Sequence, residues 1–127
     1  MLTLKWNLIM NNAEFEKITA QSIKELPEFF KSKMENVIII VSDVPSKTME
    51  RKMGRGLLGL YEGVPLLERG YSYSGFMPDK ITLFKKNIEN TCSNKEEIKK
   101  KILHVVMHEI AHHFGITDEE LREQGIY

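Results

Sequence analysis

Two histidines and a glutamate near the end of the chain have the types and spacing of a metal-dependent hydrolytic site. They are His108, Glu109 and His112, in the string HEIAHHFGITD at residues 108–118. Histidines four apart on a helix project from one face and can both reach one tetrahedral zinc ion, while the glutamate can hold the metal-bound water. Zinc lowers the pKa of that water to about 7. The pattern predicts a mononuclear zinc site, one Zn²⁺ per chain, with Glu109 as general base.

The third metal ligand is predicted to be Asp118. Gly115 can adopt the left-handed conformation that ends a helix and turns the chain back, which would bring a carboxylate three residues later toward the metal. Asp118 also has a structural reason to be acidic, because Thr117-Asp118-Glu119-Glu120 has the pattern of a capping box at the start of a final helix. Glu119 and Glu120 are the alternative ligands.

The neighbouring polar residues have other interpretations. His104 lies four residues before His108, but no glutamate follows it and no glycine turn closes that pairing, so coordination is disfavoured. His113 lies at the edge of an apolar stripe, where packing is favoured over coordination. Glu109 would be a solvated helix residue if it were not the base, but its place after the first ligand favours proton transfer.

One helix is predicted to carry the motif. Ser93-Asn94-Lys95-Glu96 fits a capping box, so the helix should run from about Asn94 to Phe114. Five apolar residues at helical spacing should seat it on the core: Leu103, Val106, Met107, Ile110 and Phe114. At about 100° per residue, His108 and His112 fall on the opposite side and should face a cleft.

Composition places limits on the fold and the partners. The 127 residues are 42% hydrophobic and contain no linker-like tract, which predicts a single domain over residues 1–127. Eighteen basic residues balance eighteen acidic ones, so we expect neither nucleic acid nor a membrane as partner. Cys92 is the only cysteine, and residues 1–10 lack the features of a signal peptide, so we expect a reducing, cytoplasmic location.

The remaining elements follow from periodicity and turn residues. Alternating apolar residues at Leu2, Leu4, Trp6 and Leu8 indicate a strand or an extended arm. Asn12 is expected to cap a helix, and Pro27 to begin a second short helix that reaches Met34.

Two strands are predicted farther along the chain. The β-branched run Val37–Val41 indicates a central buried strand, and Lys80–Phe84 a strand that its flanking lysines place at an edge. The glycine-punctuated segment between them is expected to form short strands and ordered loops.

Several segments together resemble a known family, the minimal zincin-like metallopeptidases of bacteria, long classed as a domain of unknown function. Besides the motif at residues 108–118, they are LGLYEGVPL at 58–66, PDKI at 78–81 and LREQG at 121–125. The resemblance implies an α+β fold with a compact zincin-like core, in which a small mixed β-sheet packs on helices and the HExxH helix lines the cleft. It also implies His108, His112 and Asp118 as zinc ligands and Glu109 as catalytic base.

Substrate binding is expected to depend on segments before the motif, because larger zincins continue with a methionine-containing turn whereas nine residues follow Asp118 here. Extended peptides often bind by adding a strand to a sheet edge, which makes Ile81, Thr82 and Leu83 candidate substrate-binding residues. Tyr61, Tyr71 and Tyr73 are candidate donors to an oxyanion. For Tyr61, packing within the LYEGVPL segment is the favoured alternative.

The function predicted from these residues is zinc-dependent hydrolysis of peptide or protein substrates. The alternative is a binding or regulatory module in which zinc is structural or absent, so that Glu109 would be dispensable. A metal-dependent nuclease ranks last. It is suggested by a neighbourhood of lysines, but the histidine that ends the related HxxxHxxGxxH nuclease motif is missing. The lysines are Lys85, Lys86, Lys95, Lys99, Lys100 and Lys101.

Overall fold

A computed structural model of the chain describes residues 10–63, 77–123 and 125. The predicted N-terminal strand or arm with Leu2, Leu4, Trp6 and Leu8 lies outside the described residues. So do two of the candidate oxyanion donors, Tyr71 and Tyr73.

Two helices open the described part of the chain, as predicted. Helix α1 covers Asn12–Lys24, and its cap is Asn11 rather than the predicted Asn12. The Asn11 side chain accepts a hydrogen bond from the backbone N–H of Glu14 at 2.8 Å. Pro27 then precedes helix α2, Glu28–Lys31, which continues into a 3₁₀ turn at Ser32–Met34. Proline suits this entry because its missing N–H is one that a first helical turn leaves unpaired.

Three strands form a mixed sheet. They are β1 (Val37–Ser42), β2 (Gly59–Glu62) and β3 (Asp79–Phe84), in the spatial order β1-β3-β2. Strand β3 pairs in parallel with β1 and antiparallel with β2. The small mixed sheet and the helices around it confirm the predicted α+β class.

Both strand positions within the sheet differ from the prediction. Strand β1, expected at the centre, lies at one edge of the described sheet, with Ile38 46% and Ile40 39% exposed. Strand β3, expected at an edge, lies between the other two. Of the flanking lysines, Lys85 does not indicate an edge strand, because it begins the next helix and is buried in an ion pair with Glu89 at 3.3 Å.

The other helices frame the sheet. Helix α3 (Lys47–Met53), which the sequence analysis did not anticipate, is capped by the Ser46 hydroxyl, which accepts from the N–H of Met49 at 3.1 Å. Helix α4 covers Lys85–Asn90, α5 covers Lys95–His113 and α6 covers Asp118–Glu123. No helix in the described ranges is long and apolar enough to cross a membrane.

Helix α5 is the centre of the core. Its buried side chains pack against α1, α4 and the sheet. The predicted apolar stripe is correct at four positions, since Val106, Met107 and Ile110 are buried and Leu103 is partly buried against the core, but Phe114 is 47% exposed. The buried face is instead extended toward the start of the helix by Ile98 and Ile102.

Candidate metal and catalytic site

Local sequence sets the ends of the helix that carries the motif. Asn94, rather than Ser93 of the predicted capping box, caps α5 by accepting from the N–H of Glu97 at 2.8 Å, so the helix begins one residue later than predicted. At the other end Gly115 has φ +67°, and its N–H donates to the carbonyl of His112. The N–H of Ile116 donates to the carbonyl of Ala111. These two bonds form a Schellman motif, which confirms that the chain turns at Gly115.

His108 and His112 lie side by side on α5, with ring centroids 4.2 Å apart and ring planes at 63°. His108 is half-buried and His112 is exposed. One turn earlier, His104 stacks on His108 with 5.7 Å between ring centroids. The spacing of four residues therefore brings the two predicted ligands together, on the side of the helix away from its buried residues.

Glu109 is held by a strand that lies far away in sequence. Its Oε1 atom accepts a hydrogen bond from the backbone N–H of Tyr61 on β2 at 2.9 Å. The strand approaches the helix closely because Gly59 has no side chain. A Cβ atom there would lie 2.6 Å from Cγ1 of Val105. The candidate base is thus fixed between α5 and β2, with Oε2 making no hydrogen bond to any described residue.

Tyr61 is held both through its ring and through its hydroxyl group. The ring stacks on His113, with 3.9 Å between centroids and an angle of 16° between planes, and the hydroxyl donates to Oδ2 of Asp79 at 2.7 Å. These contacts support packing, the favoured interpretation of both Tyr61 and His113. The hydroxyl would have to leave Asp79 to donate to an oxyanion. Sequence analysis missed Asp79, because the pairing depends on the antiparallel register of β2 and β3.

Asp118 lies at the first position of α6 and is exposed. Thr117 caps this helix. Its hydroxyl accepts from the N–H of Glu120 at 3.1 Å and donates to Oε1 of the same residue at 3.3 Å, which confirms Thr117 as the predicted cap. No group of three or more His, Cys, Asp or Glu side chains within residues 10–63 and 77–123 is placed to hold a metal. The structure therefore pairs the histidines without adding Asp118, Glu119 or Glu120 to them.

The predicted position of β3 at a sheet edge, where a substrate peptide was expected to bind, is wrong. Ile81, Thr82 and Leu83 are buried, and β3 has hydrogen-bonded neighbours on both sides. A strand already paired on both sides has no edge to offer a peptide. Among the described strands, the edge next to Glu109 belongs to β2.

Partial burial is the main cause that lowers the pKa of His104 below its usual value of 6.5, and the positive charges of His108 and Lys101 lower it further. The imidazole is therefore neutral at pH 7.

The HExxH helix packed beside a small mixed sheet places this chain in the class of zincin-like folds. Comparison with family models agrees, because residues 34–126 match the model for zincin-like metallopeptidases. The chain belongs to this family. A comparison with curated proteins gave no match.

Proposed function

We propose that this protein is a zinc-dependent metallopeptidase that hydrolyses peptide bonds with Glu109 as general base. The observation that carries the proposal is the hydrogen bond from the N–H of Tyr61 to Oε1 of Glu109, beside the paired rings of His108 and His112. It holds a carboxylate in the position that follows the first histidine of the motif. Family membership supports the class of reaction.

The residues present suit a zinc ion. Two imidazoles on one helix face are nitrogen donors of the kind that zinc binds, and a carboxylate is a common third ligand. His108 and His112 would hold the ion, with Asp118 as the third ligand implied by the family resemblance. Zinc bound at such a site supplies Lewis-acid polarisation of a carbonyl and activates water at neutral pH.

Glu109 would do the proton transfer. Its Oε1 is engaged by the Tyr61 amide, so Oε2 is the atom that takes the proton from the attacking water. The same atom then delivers the proton to the leaving amine. The amide hydrogen bond limits rotation of the carboxylate, so that Oε2 keeps one orientation through both transfers.

The substrate strand is proposed to lie along β2. Backbone groups of successive strand residues point alternately to the two sides. Since the N–H of Tyr61 points away from β3 to Glu109, the backbone groups of Gly59 share that outward direction. An extended peptide aligned there would pass directly over Glu109.

We place this activity in the cytoplasm, where the free thiol of Cys92 stays reduced.

Zinc content and hydrolysis test the proposal together. The purified chain is loaded with zinc, desalted and analysed for metal, and then incubated with a mixed peptide library followed by mass spectrometry. We expect one zinc per chain, loss of zinc in His112→Ala, and retention of zinc in His104→Ala, a matched control one turn earlier on the same helix. Glu109→Gln should keep the metal and lose at least about 100-fold in hydrolysis.

Two results would contradict the proposal. If the unaltered chain retains no zinc, the metal site is absent and the partner-binding alternative gains support. If hydrolysis persists in Glu109→Gln at the original rate, the cleavage does not depend on this site.

A further inference from the structure

A cavity of about 370 Å³ opens beside the candidate base. Glu109 and His108 line it together with three apolar side chains, those of Met53, Leu57 and Leu58. The volume is large enough for a leucine side chain, and Gly59 of β2 is among the lining residues. The cavity therefore favours an apolar residue near the bond to be cleaved.

A second cavity of about 370 Å³ adjoins the first and has a different character. It is lined by Lys47, Glu50, Arg51 and Arg55, three cationic groups and one carboxylate. Arg55 lines both cavities, so its guanidinium marks the boundary between the apolar and the basic part of the cleft.

The cationic groups of the second cavity have no carboxylate partner within the described part of the chain. The ion pairs found there use other lysines, on α4, α5 and β3, and Glu50 is not within ion-pair distance of either arginine. The whole chain has no net charge, so this concentration of unpaired positive charge is local to one end of the cleft. A ligand carboxylate is its natural complement.

We infer that the site selects acidic peptides, with an apolar side chain in the cavity beside Glu109 and a carboxylate against Arg55. The inference rests on the proposed function and adds the substrate class. In an extended peptide, side chains two residues apart lie on the same side, about 6.6 Å apart. An acidic residue two positions from the apolar residue would therefore reach from the first cavity toward the second.

A binding measurement with blocked peptides tests the inference. The probe is fluorescein-labelled Gly-Glu-Ala-Leu-Ala-Glu-Gly, whose symmetric arrangement makes the chain direction unimportant, and the comparison peptides carry Lys or Gln in place of both Glu residues. The full-length Glu109→Gln chain, loaded with zinc, is titrated by fluorescence anisotropy in 50 mM salt. We expect the Glu peptide to bind about fivefold more tightly than the Gln peptide, and the Lys peptide to bind most weakly.

Reversing the charge of Arg55 gives the decisive comparison. Arg55→Glu should remove the preference for the Glu peptide and favour the Lys peptide. Lys86→Glu, the same change of charge at an exposed residue outside both cavities, should leave the preference intact. Raising the salt concentration to 300 mM should weaken binding of the Glu peptide and reduce the difference among the three.

The outcomes separate this inference from the peptidase proposal. Three results would overturn the inference: equal affinity for the three peptides, no binding of any of them, or the same response to Arg55→Glu and Lys86→Glu. In each case, hydrolysis of the peptide library by the unaltered chain remains a separate test of the peptidase proposal. Charge-selective binding that depends on Arg55, without hydrolysis by the unaltered chain, supports the inference and rejects the peptidase.

Discussion

The backbone N–H of Tyr61 donates to the carboxylate of Glu109 over 2.9 Å, joining strand β2 to the motif helix across 48 residues of sequence. A hydrogen bond to a carboxylate is stronger than one between neutral groups. It also leaves only one carboxylate oxygen for chemistry. The strand thereby orients the candidate base.

The amide proton of Tyr61 should exchange slowly with solvent, because it is bonded to Glu109 rather than to water. In Glu109→Ala the acceptor is lost and exchange at Tyr61 should accelerate by at least about tenfold, whereas Glu109→Gln retains an amide oxygen and most of the protection. Amide hydrogen exchange followed by NMR measures this. Equal exchange rates in the unaltered chain and Glu109→Ala would show that the bond does not persist in solution.

Gly59 should be the least replaceable residue of β2. A Cβ atom at this position would meet Cγ1 of Val105 at 2.6 Å and the carbonyl oxygen of Thr82 at 3.1 Å. We expect Gly59→Ala to lower the free energy of unfolding by about 1–3 kcal/mol in urea denaturation. In a double-mutant cycle, Val105→Ala should cost less in the Gly59→Ala background than alone. Additive effects would contradict the close approach.

The hydroxyl of Tyr61 should stabilise the start of β3 through Asp79. Tyr61→Phe keeps the ring stacked on His113 but removes the donor to Oδ2 of Asp79, and we expect a loss of about 1–2 kcal/mol in urea denaturation. Asp79→Ala should cost less in the Tyr61→Phe background than in the unaltered chain. Independent effects of the two substitutions would argue against the bond.

The buried ion pair of α4 should be an important stabilising contact. Lys85 and Glu89 have side chains only 6% exposed, and the second carboxylate oxygen of Glu89 accepts from the N–H of Met10 at 3.0 Å. Lys85→Met keeps the volume but leaves a buried carboxylate without its cation, so we expect a loss of about 3 kcal/mol in urea denaturation.

The exposed pair between Lys95 and Glu14 is the matched control. Its side chains are 67% and 51% exposed, and Lys95→Met should change the stability by less than about 1 kcal/mol. Similar losses from Lys85→Met and Lys95→Met would contradict the difference in burial.

His104 should titrate below pH 6.5 in the metal-free protein, because partial burial and the charges of His108 and Lys101 lower its pKa in the folded state. The unfolded chain then binds more protons just below pH 6.5, so the contribution of His104 to stability decreases as the pH falls through that window. NMR titration of the imidazole gives the midpoint, which Lys101→Gln should raise. A midpoint at or above 6.5 would contradict the prediction.

Sequence by itself determined the local features of the site. The ends of α5 follow from the Asn94 cap and the Gly115 turn, and the pairing of His108 with His112 follows from their spacing of four on one helix. Each depends on contacts within a few residues, which the order of amino acids specifies directly.

Only the tertiary structure decided which groups meet across the sheet and the helix. Both β1 and β3 contain apolar runs, and their order depends on which strand is enclosed, as β3 is at Ile81 and Leu83, and which one is exposed, as β1 is at Ile38 and Ile40. The bond from Tyr61 to Glu109 requires both the edge position of β2 and the small size of Gly59. Such contacts join residues far apart in the chain, so no local sequence pattern predicts them.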